Sequence, residues 1–348
     1  MSAPLPISLF EYDLPEDRIA QVPARPRDSS RLMRVHRCGG ETEHHCFADL
    51  PGLLQPADLL VVNATEVIRA RLSLRRPTGG QVELLLCRPI DGGVRDARVW
   101  SGLARPASAF KRGRTVLAAD GTELIAGERL GEQVTVRSKA PLWQLMQSHG
   151  EVPLPPYIRR PDGPKQGDVG DYQTLFAKEP GAVAAPTASL HFTERVLGAL
   201  DARDVKRASL VLHVGPGTFV PVRNEHAEDI REHVMHGEWY DIPEETVLAI
   251  EATKARGGRV IGVGTTSVRA MESWSKTGNA CGEATLFIYP GYEFGVIDGM
   301  ITNFHLPRST LLMMVSAFAG RDLIIAAYEE AVREGYRFFS YGDAMLLL

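Results

Sequence analysis

A change of texture partway along the 348-residue chain constrains its fold most. Between Gly79 and Arg137, short β-prone runs follow one another with turn signals between them. VELLLCR (Val82–Arg88) leads into Asp91-Gly92-Gly93 and then VRDARVW (Val94–Trp100). TVLAA (Thr115–Ala119) meets a turn at Asp120-Gly121, ELIAG starts at Glu123, and QVTVR (Gln133–Arg137) alternates polar with apolar residues. Many short strands at this spacing predict a small antiparallel barrel or sandwich.

The C-terminal half has another rhythm. RASLVLHV (Arg207–Val214) and RVIGVG (Arg259–Gly264) read as strands. EETVLAIEATKARGG (Glu244–Gly258) and DLIIAAYEEAVREG (Asp322–Gly335) read as helices with stop signals. Strand–helix alternation predicts an α/β domain, and a chain of this length suggests two domains. The stretch Arg160–Asp171, rich in Pro, Gly and Asp, is expected to be a flexible loop.

Charge restricts the partners. With 39 Lys+Arg against 43 Asp+Glu, the formal net charge is −4, which argues against coating nucleic acid by bulk charge. The distribution is uneven: residues 1–160 carry 22 basic and 18 acidic side chains, the remainder 17 and 25. The first half is therefore where an anionic partner is expected. The basic runs are RPRDSSRLMRVHR (Arg25–Arg37), RARLSLRRP (Arg69–Pro77) and KRGR (Lys111–Arg114). Alternation in the second puts Arg69, Arg71 and Ser73 on one strand face, either a solvated face or one that meets RNA phosphates. Cys38, Cys46, Cys87 and Cys281 form no C-x-x-C pair. With no basic n-region at the start, free thiols in a reducing cytoplasm are expected. The cluster His36, Cys38, His44, His45 and Cys46 fits no standard zinc spacing. The longest apolar run, Leu311–Ala319, is too short to span a membrane.

Several segments carry chemistry. GVGTTSVRAMES (Gly262–Ser273) sets glycines and hydroxyls between a strand and a helix, so Thr265, Thr266 or Ser267 is expected to cap the helix. Such a start binds carboxylate or phosphate, or is simply a cap; without a P-loop lysine it does not suit a nucleoside triphosphate. In HVGPGTFVPVR (His213–Arg223), Gly215 and Gly217 permit close approach of backbone to a ligand. AAPTASLHFT (Ala184–Thr193) and ITNFHLPRST (Ile301–Thr310) each contribute an imidazole, His191 and His305, the latter two residues from Asn303. His233, His236 and Glu238 have the spacing of a partial metal site, without further ligands.

Together these stretches resemble the S-adenosylmethionine:tRNA ribosyltransferase-isomerase family of queuosine biosynthesis. The resemblance rests on YDLPEDRIAQVPARPRDSSRL (Tyr12–Leu32), VVNATEVIRARL (Val61–Leu72), PLPPYIRRP (Pro153–Pro161), YQTLFAKEPGAVAAPTASLHFT (Tyr172–Thr193) and LHVGPGTFVPVR (Leu212–Arg223). It continues through HVMHGEWY (His233–Tyr240), VIGVGTTSVRAMES (Val260–Ser273), FIYPGYEFGVIDGMITNFHLPRSTLLMMVSAFAG (Phe287–Gly320) and YRFFSYGDAMLL (Tyr336–Leu347). The set runs in family order over nearly the whole chain. The chain departs from the family pattern at Ala64, Glu66, Arg69 and Ser189.

The resemblance implies a discontinuous α/β domain, residues 1–68 and 151–348, interrupted by a small antiparallel β-barrel, residues 69–150. It implies that the ribosyl moiety of S-adenosylmethionine is transferred to 7-aminomethyl-7-deazaguanine at the wobble position of a tRNA with a GUN-type anticodon. The sugar is isomerised to give epoxyqueuosine, and adenine and methionine are released. S-adenosylmethionine is then the donor substrate, with no prosthetic group and no metal. The enzyme is expected to be a cytoplasmic monomer without a membrane partner.

Such chemistry needs a base, an acid and a carboxylate pocket. His191, His305 and Asn303 are the expected catalytic residues. Thr265, Thr266, Ser267 and Arg269 are expected to hold the methionine carboxylate. Tyr157, Tyr172 or Phe192 would stack on a base, with Gln173, Thr187, Gly215 and Gly217 completing the substrate site. Arg27, Arg31, Arg69, Arg71 and Arg75 are the expected tRNA contacts, while the more acidic half would enclose the sulfonium. Two rivals are a class I methyltransferase, with HVGPGTF as its glycine loop and Glu238 as its ribose acid, and a non-catalytic tRNA-binding module. Against the first, Leu154 replaces the polar residue of an amino-methylating motif and Phe219 the third glycine.

Overall fold

The computed structural model describes residues 4–219 and 228–348. In chain order it opens with β1 (Arg31–Val35), β2 (Thr42–Cys46), a one-turn α1 (Leu50–Leu53), β3 (Leu59–Asn63) and β4 (Thr65–Val67). Then come β5 (Arg71–Arg75), β6 (Gln81–Pro89), β7 (Val99–Arg105), β8 (Thr115–Leu117), β9 (Glu123–Leu130), β10 (Gln133–Arg137), α2 (Leu142–His149) and β11 (Gly150–Glu151). The chain continues through α3 (Asp168–Asp171), β12 (Glu179–Ala182), α4 (Glu194–Ala202), β13 (Lys206–Leu212), β14 (Glu238–Asp241), α5 (Glu244–Ala255) and β15 (Val260–Val263). Last are α6 (Thr265–Thr277), β16 (Cys281–Ala284), β17 (Gly299–Asn303), α7 (Thr310–Ala319), α8 (Arg321–Arg333) and β18 (Ala344–Leu347).

Among the described residues, nine strands form one mixed sheet in the order β16-β14-β13-β3-β15-β17-β18-β1-β2. Its centre, β13-β3-β15-β17, is parallel. Strands covered on both faces need apolar residues on both, and β3, β15 and β17 are buried at every position. Leu59 and Val61 pack on one side with Met271 of α6 and Ile250 of α5. Leu60 and Val62 pack on the other with Val196 and Leu200 of α4.

The second sheet is a barrel. Strands β5-β6-β7-β10-β9-β8 pair in turn, and a β5–β8 pairing closes the ring. Alternation drives the closure: Leu72 and Leu74 point into a core with Leu84, Leu86, Trp100 and Val116, while Ser73 and Arg75 face outward. β11 adds to β5 from outside the ring, and Arg88 reaches Glu283 of the larger sheet at 2.9 Å. The architecture is thus α/β with a closed antiparallel barrel.

Some elements differ from their sequence reading. The strand expected at Val94–Trp100 starts only at Val99, because Asp91 accepts hydrogen bonds from Arg98 N and Val99 N and holds residues 94–98 in the turn. The stretch Arg160–Asp171 is anchored: Arg160 pairs with Asp168 at 2.7 Å, both almost fully covered, and the segment ends in α3. No single helix among the described residues is long and apolar enough to cross a membrane, and α7 and α8 meet at 116°.

The junction between α2 and β11 turns on Gly150. A Cβ there would collide with the backbone carbonyls of Arg69 and Met146, neither of which can rotate away. Gly150→Ala is expected to cost about 1–3 kcal/mol, the usual price of overpacking; an unchanged urea midpoint would contradict this.

Candidate functional site

A cleft opens where the central strands end. Its walls come from Val214 beyond β13, Gly264–Thr266 beyond β15 and Asn303–Leu306 beyond β17. Parallel sheets place ligands at the carboxyl ends of their strands, because the loops there diverge. Ala184–Ala188, Tyr157, Phe339 and Ser340 complete the lining. Among the described residues, no Asp, Glu, Lys or Arg lines the cleft. The expected enclosure of a sulfonium by the acidic half finds no carboxylate among the described lining residues.

The start of α6 differs from its sequence reading. Gly264 is the N-cap, at φ 86°, and no side chain caps the helix. Thr265 and Thr266 line the cleft. Ser267 is fully buried and its Oγ donates to Val263 O at 2.8 Å, so it serves the helix backbone. Thr266 Oγ1 accepts from Asn63 Nδ2 at 3.3 Å.

Beside it runs a buried polar chain. Asn303 Nδ2 donates to Phe339 O at 3.0 Å, which fixes the amide, since a carbonyl can only accept. The same nitrogen lies 3.1 Å from His191 Nε2, which must therefore accept. His191 is then the neutral Nδ1–H tautomer, donating to Ser30 Oγ at 2.8 Å. Burial first, then the charges of Arg27 and Arg337, push this imidazole down to about 3. Its ring stacks on Phe47. His191 does not line the cleft; it acts on it through Asn303, which does. Phe339 carries a positive φ of 71°, a strained backbone for a bulky residue, and such strain collects at functional sites.

His305 lines the cleft directly. Its Nε2 lies 2.8 Å from Thr302 Oγ1, and Tyr328 OH accepts from its backbone N–H at 3.1 Å. Burial pushes the imidazole down to about 3.

The other expected residues divide between wall and core. Tyr157 and Thr187 line the cleft. Tyr157 packs on Phe339 with centroids 4.3 Å apart, and its hydroxyl bonds Ser340 Oγ at 2.7 Å. Tyr172 and Phe192 do not fit a stacking role: both are buried, Tyr172 edge-on to Tyr341 and Phe192 edge-on to Phe47 and Phe176. Gln173 is bonded to both backbone groups of Val67. Gly215 N donates to Glu238 Oε1 at 2.6 Å, and Gly217 abuts the His236 ring, which a Cβ would touch at 3.0 Å. The last residues of that motif, 220–223, lie outside the described residues.

Arg269 is turned away from its expected role. It is buried in an ion pair with Glu238, and desolvation lowers its pKa to about 10. That pair also occupies the acid that a methyltransferase reading needs for ribose. Arg27 is bound to Asp171 and Arg31 stacks on Tyr336 at 3.7 Å. Arg69 reaches Gln147 O, and Arg71 reaches Leu154 O and Glu83. Arg75 is exposed. Among the described residues no His, Cys, Asp and Glu group could hold a metal ion; His36 and His45 both bond Glu43 instead. Sequence reasoning missed Ser30, Thr302 and Ser340, and gave Glu238 other roles than the partner of Arg269. Ser30 and Ser340 are revealed only by contacts with residues far along the chain, and Thr302 by the turn that brings His305 back onto it.

A family model described as a queuosine biosynthesis protein matches residues 7–347. Proteins named S-adenosylmethionine:tRNA ribosyltransferase-isomerase are similar along their whole length. That of Anaeromyxobacter dehalogenans strain 2CP-C is 49% identical, over 98% of this chain and 99% of its own. That of Moorella thermoacetica is 49% identical with the same coverage. Among solved structures, the S-adenosylmethionine tRNA ribosyltransferase of Thermotoga maritima is 36% identical, with a TM-score of 0.56 over 98% of this chain and 100% of its own.

The two depressed imidazoles give stability a pH dependence. Both stay neutral in the folded protein down to about pH 3, while the unfolded chain protonates them below about 6.5. Their stabilising contribution is complete above pH 6.5 and falls as the pH drops toward 3, by at most about 1.4 kcal/mol per pH unit for each ring. The denaturation midpoint should fall from pH 6.5 to 4, less steeply in His191→Asn. An equal slope in that variant would count against a buried neutral His191.

Proposed function

The chain belongs to the queuosine biosynthesis protein family, and from that premise we propose how it acts as an S-adenosylmethionine:tRNA ribosyltransferase-isomerase. The observation that carries this reading is near-half identity to enzymes of that name across essentially the full length of both chains. The enzyme moves the ribosyl group of S-adenosylmethionine to 7-aminomethyl-7-deazaguanine in tRNA, isomerises it, and releases adenine and methionine.

The sulfonium acidifies the C5′ protons of the donor, so a neutral imidazole beside it has a proton to take. His305 fits this task better than His191, since His305 faces the cleft and His191 is committed at both nitrogens. Thr302 Oγ1 has its own contact to Asn303 O, at 3.4 Å. A hydroxyl proton directed there leaves the oxygen free to accept from His305 Nε2–H, and Nδ1 then carries the basic lone pair. Tyr157 and Phe339 offer an aromatic wall for adenine. Arg75, Arg71 and Arg69 on the barrel meet the tRNA backbone, with Arg75 the most available.

The unit of chain implied is an α/β domain of residues 1–68 and 151–348 around the barrel of residues 69–150. The enzyme works as a cytoplasmic monomer with no prosthetic group, on tRNAs with GUN-type anticodons.

Incubation with S-adenosylmethionine and tRNA bearing 7-aminomethyl-7-deazaguanine is expected to release adenine and methionine. Release of S-adenosylhomocysteine would refute the reading in favour of methyl transfer. His305→Ala should lower turnover at least 100-fold, in the range of lost general base catalysis, while His305→Ala turnover near wild type would remove the residue from this role. Arg75→Glu should raise KM for tRNA and leave S-adenosylmethionine binding unchanged, most visibly at low salt. The opposite pattern would move the tRNA surface elsewhere.

A further inference from the structure

The orientation of Asn303 leaves one polar atom unexplained. Its nitrogen is used twice, by Phe339 O and His191, so its oxygen is the end left over. Asn303 is 2% exposed and Oδ1 is buried with no hydrogen-bond partner, in a residue that lines the cleft. A buried acceptor without a donor costs about 1–3 kcal/mol, a cost that a bound group bearing N–H would remove.

A complementary set of donors stands next to it. β15 and β17 are parallel neighbours with Val263 opposite Ile301, and Gly264 N donates to Ile301 O at 2.7 Å. Two residues further on, the chains reach Thr265, the first residue of α6, and Asn303. Neighbouring strands lie about 4.8 Å apart, so Asn303 and the helix start share one corner of the cleft. The first-turn N–H groups of this 13-residue helix have no capping side chain and carry the positive end of its dipole.

We propose that this corner is an amino-acid subsite: the start of α6 binds an α-carboxylate and Asn303 Oδ1 accepts from the α-ammonium of the same group. The assignment rests on the donor reading above and gives the methionine end of S-adenosylmethionine its place. It also assigns the carboxylate to backbone donors instead of Arg269, which Glu238 holds. The described lining, which is without charged side chains, fits. A zwitterion brings both charges itself, so dipolar partners suffice. A phosphate would face the same acceptor oxygen, which repels it. His191 becomes a positioning residue that keeps the amide the right way round.

Calorimetric binding of S-adenosylmethionine and its desamino analogue to the full chain tests this. Wild type should bind the desamino compound roughly 10- to 100-fold more weakly, as expected for a hydrogen bond to a charged group. Asn303→Ala should bind the two within about threefold of each other on the same scale. Equal affinities in wild type overturn the subsite, and that arm needs no variant to fold. Undiminished discrimination in Asn303→Ala also overturns it. A wild-type chain that binds no S-adenosylmethionine overturns the donor reading and the subsite together, whereas normal binding without discrimination removes the subsite alone.

Discussion

The hydrogen bond between Asn303 and His191 joins segments that are otherwise unrelated in sequence. Asn303 closes the central strand β17, and His191 belongs to the turn before α4. Ser30, which holds the far side of the imidazole, precedes β1, and Phe339, whose carbonyl holds the amide, precedes β18. Four pieces of chain meet at two side chains, both almost fully buried. In such a place a polar network specifies one arrangement, because each unmade bond is expensive. The strained Phe339 backbone is tolerated because both its carbonyl and its ring are engaged.

This network also separates two histidines that look alike in sequence. Both are buried and both are depressed to about 3. Only the surroundings distinguish them: His191 has a partner at each ring nitrogen, whereas His305 stands in the cleft wall. One holds an amide in place, and the other is the one we propose to handle a proton.

Much of the fold was legible. QVTVR folds as the strand it reads as, and the alternation of RARLSLRR sets inside and outside in the barrel. Those signals are local, since a strand's two faces are written in adjacent residues. The α6 start was legible as a strand-to-helix turn but not in its detail: hydroxyls in GTTS suggested a side-chain cap, and glycine took that position instead. Aromatic character likewise does not say which ring is reachable. Tyr157 lines the cleft while Tyr172 sits fully buried against Tyr341. Arg269 reads as a free cation until β14 brings Glu238 beside it, and Ser30 reads as an ordinary serine until His191 arrives from 161 residues away. Charge behaves the same way: among the described residues, the acidic excess of the second half does not reach the cleft lining.

Which part of the donor enters the RNA is the central question, and isotopic labelling answers it directly. S-adenosylmethionine labelled in the ribosyl carbons should transfer its label to tRNA bearing 7-aminomethyl-7-deazaguanine, while donor labelled in the methyl group should leave the tRNA unlabelled. Methyl label in the tRNA, with ribosyl label remaining on the nucleoside product, would contradict the account.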